Sequence, residues 1–168
     1  MIVLGVDPGT AITGYGLVSD SSDGSLHQID YGVIRTKAKT PYPQRVKKIH
    51  EGINSLIDEY KPDVVAIEEL FFNKNISTAM LVAQARGVVI LTSAIAELEL
   101  REYTPIQVKQ AVTGYGRADK AQIQQMIKVL LGLSEIPKPD DAADALALAI
   151  CHLSSYRMRN ALGTDRKI

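Results

Sequence analysis

Short apolar runs bounded by turn-forming residues open the chain and predict strands at residues 2–7, 13–19 and 26–36. The last two flank Ser21-Ser22-Asp23-Gly24, a hairpin signal, so these three strands are expected to pair antiparallel. The period then changes. Val46, Ile49, Ile53, Leu56 and Ile57 recur at helical spacing within 43–60, and Lys61-Pro62 stops that helix. A fourth strand is predicted at 64–68, a long helix at 77–98 and a short strand near 101–103. Thr104 followed by Pro105 opens another helix, which Gly114 closes. The pattern of 118–131 is an amphipathic helix ending at Gly132, and after Pro137-Lys138-Pro139 a last helix is expected over 140–157. Three antiparallel strands followed by alternating helices and strands predict a mixed α/β sheet with helices on both faces.

Composition narrows the picture little: 168 residues, 46% of them hydrophobic, suffice for one core. One domain over 1–157 is expected, followed by a short basic and flexible tail at 158–168. Nineteen basic and nineteen acidic side chains cancel, so contact with a polyanion must depend on how charge is distributed. Residues 31–50 carry Arg35, Lys37, Lys39, Arg45, Lys47 and Lys48 with no acid, and 101–128 adds Arg101, Lys109, Arg117, Lys120 and Lys128. Met1-Ile2-Val3-Leu4 before Asp7 has the pattern of a core strand and not of a leader, and the apolar passage at 87–96 falls short of the roughly 20 residues needed to span a bilayer. A cytoplasmic location is expected. Cys151, among Leu148, Ala149, Ile150 and Leu153, cannot form an internal disulfide and is expected to pack in the core.

Acidic residues at predicted element ends carry the chemistry. Asp7 ends the first strand on the parity of Val3 and Gly5, and Glu68 ends the fourth on the parity of Val64 and Ala66. If those strands are parallel neighbours, both carboxylates emerge at the carboxyl edge where open α/β sheets place their ligands. Asp141 and Asp144, three apart on the last helix, share a face and can point toward the same edge. Asp140 pairs with Asp144 almost as well, although an acid after Pro139 also suits the helix cap, a role worth about 1 kcal/mol. Glu69 has the opposite parity. Gathered carboxylates need a metal, a proton or a basic partner, and for a metal the oxygen donors alone favour Mg²⁺ or Mn²⁺ over zinc. His152 falls on the Asp141 face but roughly 16 Å along the helix, too far to join it.

With these residues in view, the chain resembles the RuvC Holliday junction resolvases of the ribonuclease H-like superfamily. The motifs are GVDPGTAITGYGLV around Asp7, AIEELFFNKN around Glu68, AQARGV at 83–88, QVKQAVTGYG at 107–116 and DDAADALALAICH from Asp140. The resemblance implies a ribonuclease H-like mixed five-stranded sheet and places four metal-binding catalytic acids on Asp7, Glu68, Asp141 and Asp144. It implies two Mg²⁺ ions, replaceable by Mn²⁺, that hydrolyse phosphodiesters of four-way junction DNA in recombination and repair. Lys109 and Lys120 match basic residues that touch the phosphate backbone, and Phe71 matches an aromatic that stacks on an unpaired base; Lys74 and Arg117 complete the expected DNA surface. A homodimer follows from the junction's two-fold symmetry, with the 77–98 helix as its expected interface, and the resemblance adds RuvA and RuvB as partners. A YqgF-like nuclease and a non-catalytic junction-binding module are the rival readings. An actin-like phosphotransferase, suggested by Asp7-Pro8-Gly9-Thr10, lacks the second domain it would need.

Overall fold

The computed structural model describes residues 1–69 and 76–163, in the order β1 (Ile2–Asp7), β2 (Ile12–Asp20), β3 (Leu26–Arg35), α1 (Tyr42–Tyr60), β4 (Val64–Glu68), α2 (Ile76–Ile95), β5 (Glu99–Tyr103), α3 (Pro105–Thr113), α4 (Lys120–Leu130) and α5 (Asp140–Ala161). The strands form one mixed sheet in the order β3-β2-β1-β4-β5. β1, β2 and β3 pair antiparallel, while β4 runs parallel to both β1 and β5, as expected. The hairpin turn is held by Asp23, whose Oδ1 accepts from the Ser25 amide at 2.9 Å and its hydroxyl at 2.7 Å, with Gly24 supplying φ +91°.

Alternation along the strands builds two cores. Val3 and Ala66 face α3, α4 and α5, whereas Leu4, Val6, Val65 and Ile67 face α1 and α2. Leu146, Ile150 and Leu153 of α5 are fully buried, each worth about 1.5–3 kcal/mol of transfer free energy. Cys151 is buried beside them, a packing residue as expected.

Several element ends depart from the sequence pattern. α2 stops at Ile95 and not near Leu98, because Glu97 turns left-handed at φ 55° and the Leu98 amide closes back on the Ser93 carbonyl. β5 therefore starts two residues early, at Glu99. α4 begins at Lys120, since Asp119 and Gln122 form a reciprocal capping box. Thr104 and Gln107 do the same for α3. α5 continues to Ala161, past the expected end at Arg157 and into the segment assigned to a tail.

α5 lies unusually close to the sheet. A Cβ added at Gly5 would stand 2.0 Å from the Ala145 carbonyl oxygen, and one at Gly16 would stand 2.7 Å from the Leu146 amide nitrogen. Gly5 and Gly16 face each other across β1 and β2, so the strand surface there is bare backbone. Ala142, Ala143, Ala145, Ala147 and Ala149 leave the helix equally slim, and all are buried. This contact sets the height of α5 above the sheet and thereby the height of the carboxylates that it carries.

Candidate active site

β1 and β4 are paired up to Val6 and Ile67, so Asp7 and Glu68 leave the sheet side by side at its carboxyl edge. Both point to the α5 face, as their parity with Val3 and Ala66 requires. Asp144, on the second turn of α5, meets them from above. These three carboxylates line one cavity of about 220 Å³, together with Lys109 and Lys120. Pro105, Val108, Ile123, Ala147 and Leu148 form its apolar walls.

Such walls make charge expensive. Asp7 is pushed up to about 7, by burial first and then by the charges of Asp144, Asp141 and Glu68, with Lys120 opposing. Burial also raises Glu68 above the usual carboxylate value; Asp144 adds to the shift and Lys109 opposes it. Asp144 is raised by burial, against Lys120 and with the help of Asp140 and Asp141. Asp141 does not line the cavity, yet it is near enough for its charge to act on Asp7.

Asp140 takes a different part from the one expected. Pro139 occupies the cap position of α5 and no side chain caps the helix. Asp140 instead reaches Lys120, with Oδ2 at 3.0 Å from Nζ, and accepts from Gln124 Nε2 at 3.1 Å. The same ammonium lies 3.4 Å from Asp144 Oδ2. Lys120 is thus clasped by two acids, and its bond to Asp140 is the main cause of its raised pKa. Asp140 is correspondingly held below the usual range by Lys120 and Gln124.

The donor set is all carboxylate oxygen, which in kind fits Mg²⁺ or Mn²⁺, and a cation there would offset the burial and the neighbouring acids that raise Asp7. Among the described residues, however, no three His, Cys, Asp or Glu side chains stand close enough together to hold a metal ion. In this arrangement Lys120 supplies positive charge to the acids, pairing with both Asp140 and Asp144.

Lys109 stands in the second turn of α3, and Lys120 is the first residue of α4. Arg117 is exposed in the turn between these helices. Phe71 and Lys74, expected to contact DNA, lie outside the described residues. Glu69 lines no part of the cavity, and its amide donates to the Tyr103 carbonyl. His152 is buried away from the carboxylates with Nδ1 at 2.8 Å from the Tyr103 hydroxyl, and Tyr15 bonds Asp30 at 3.3 Å. Sequence reasoning missed Gly5, Gly14 and Gly16, although glycines on one face of two adjacent strands before an alanine-rich helix were a readable signal of close packing.

A family model described as crossover junction endodeoxyribonuclease RuvC matches residues 3–152. A crossover junction endodeoxyribonuclease RuvC from Alkaliphilus metalliredigens is 60% identical over 155 residues, covering 92% of this chain and 94% of that relative. The RuvC structure of Thermus thermophilus superposes with a TM-score of 0.88 at 36% identity, over 94% of this chain and 96% of that one. A second structure, T. thermophilus RuvC in complex with a Holliday junction substrate, superposes with a TM-score of 0.87 at 33% identity over 98% of both chains. With a mixed sheet that carries Asp7 and Glu68 at its edge beneath Asp144, the chain belongs to the RuvC family of crossover junction endodeoxyribonucleases.

Proposed function

We propose that this chain resolves four-way DNA junctions by paired nicks, and that Asp7, Glu68, Asp141 and Asp144 are its catalytic acids. The observation that carries the reading is the meeting of Asp7, Glu68 and Asp144 in one cavity flanked by Lys109 and Lys120. Four carboxylates alone would repel a phosphate. Two divalent cations held by them, Mg²⁺ or in its place Mn²⁺, would supply Lewis-acid activation of the scissile phosphate and of the attacking water. The chain's own residues do the rest. Apolar walls beside the carboxylates lower the local dielectric and so strengthen each charge there, while Lys109 approaches the phosphate from the α3 side. Lys120 must release Asp144 to an incoming cation and turn its own ammonium to the DNA backbone, an exchange its exposed position at the start of α4 permits. Arg117, Lys74 and Phe71 extend the contact, Phe71 by stacking on an unpaired base at about 1–3 kcal/mol.

A junction has two strands to cut, so the active form is proposed to be a two-fold homodimer. Met80, Leu81, Leu91 and Ile95 are exposed on α2 and support that helix as the interface. RuvA and RuvB are the proposed partners in branch migration. No helix among the described residues is long and apolar enough to cross a membrane, in keeping with a proposed place of action beside cytoplasmic DNA. The deciding experiment incubates the protein with a mobile four-way junction and Mg²⁺ and maps both nicks on sequencing gels. Symmetric, ligatable nicks are expected; binding without nicks would favour a recognition module.

A further inference from the structure

Arg86 lies within α2 and is only 9% exposed. A guanidinium withdrawn from water needs partners for its donors. Its Nη1 donates to the main-chain carbonyl of Glu68 at 2.6 Å, and its Nη2 pairs with Glu102 Oε1 at 2.6 Å. One side chain therefore ties α2 to the carboxyl ends of both β4 and β5.

The first of these bonds fills a gap in the sheet. Successive strand residues direct their N–H and C=O groups to opposite neighbours. Because the Glu69 amide donates to Tyr103 on the β5 side, the Glu68 carbonyl faces β1. Past Asp7, the next residue on that side is Pro8, which has no N–H to give. The β1–β4 register accordingly ends with Val6 and Ile67. Without another donor, the carbonyl of Glu68 would be left without its sheet hydrogen bond beside the cavity.

We infer that Arg86 is a positioning residue for Glu68: it replaces the sheet hydrogen bond that Pro8 cannot make and fixes the peptide from which the Glu68 carboxylate enters the cavity. This rests on the reading of Glu68 as a catalytic acid. Glu102 is the outer anchor, since it holds the second nitrogen of the fork and so sets the angle of the first. Arg86 also links the site mechanically to α2, whose far side exposes Met80, Leu81 and Leu91.

The test compares Arg86→Gln, Arg86→Lys and Glu102→Gln with the parent protein in single-turnover nicking at saturating junction and Mg²⁺. Junction affinity, melting temperature and the ¹³C resonance of the Glu68 carbonyl are followed alongside. Arg86→Gln is expected to slow turnover about 10–100-fold, as loss of a supporting partner does, with junction affinity unchanged and the Glu68 resonance displaced. Arg86→Lys should restore part of the rate, because an ammonium can reach one acceptor but not fork to both. Glu102→Gln, at a half-exposed position, should slow turnover in the same direction without lowering the melting temperature. Should Arg86→Gln fail to fold, Glu102→Gln decides, and an unaltered rate there overturns the proposal. A rate loss that merely follows melting temperature, with the Glu68 resonance unmoved, overturns it too. If the parent protein does not nick, the functional reading fails instead, and the resonance still reports whether Arg86 holds the Glu68 carbonyl.

Discussion

A methyl group placed on Gly14 would stand 2.0 Å from the carbonyl oxygen of Asp141, inside any permissible contact. Gly14 is the β2 partner of Asp7, so the start of α5 rests directly on the strand opposite Asp7. Gly14→Ala should lift the helix end, lower stability by about 1–3 kcal/mol and reduce nicking, although no carboxylate is altered. Denaturant melts and nicking rates check this; full activity at parental stability would show that the close approach is dispensable.

The pH dependence of the cation-free protein should bear the mark of Asp7. Its folded-state pKa of about 7 stands above the ordinary 3.8, so the folded state holds a proton that the unfolded chain has lost. The resulting penalty appears as pH rises from 3.8 through about 7 and is complete above that. In chelator, Asp7→Asn should therefore raise the melting temperature more at pH 8 than at pH 5. Equal changes at both pH values would contradict the shift.

Mg²⁺ should stabilise the parent protein, because a ligand that binds only the folded state adds about 2.7 kcal/mol at a hundred times its Kd. That gain should shrink in Glu68→Gln and Asp144→Asn. Both variants should lose more than the roughly 10–100-fold that follows removal of a supporting group, while still shifting junction DNA in a gel. Nicking that survives in excess chelator would remove the metal from the reading.

Lys120 holds two acids in the free protein and is proposed to turn to phosphate on binding. Lys120→Ala should slow cleavage and lower the slope of log affinity against log salt by about 1. An unchanged slope would leave Lys120 as a partner of Asp140 and Asp144 only.

The outer face of α2 exposes Leu91 at 60% and Ile95 at 63%. Leu91→Asp should convert a dimer to monomer in sedimentation and abolish paired nicking, since one site cannot reach both strands. A parent protein that sediments as monomer, alone and on junction DNA, would end the dimer proposal.

Periodicity and turn signals determined the strands, their antiparallel triplet, and the parity that sends Asp7 and Glu68 to one face and Glu69 to the other, whereas the parallel pairing of β4 with β1 entered only as a condition. The first three are local, because strand pleat and hairpin turns repeat over a few residues. The roles of neighbouring acids were not local. Asp140 and Asp141 differ by one position on α5, yet Lys120 and Gln124 of α4 claim the first, while the backbone of the second lies against Gly14. Likewise the end of α2 turned on Glu97 adopting a left-handed conformation, which its residue type does not announce. The raised pKa of Asp7 and the grip of Arg86 on the Glu68 carbonyl exist only once α2, α5 and the sheet are packed, because burial and charge proximity arise between segments far apart in the chain.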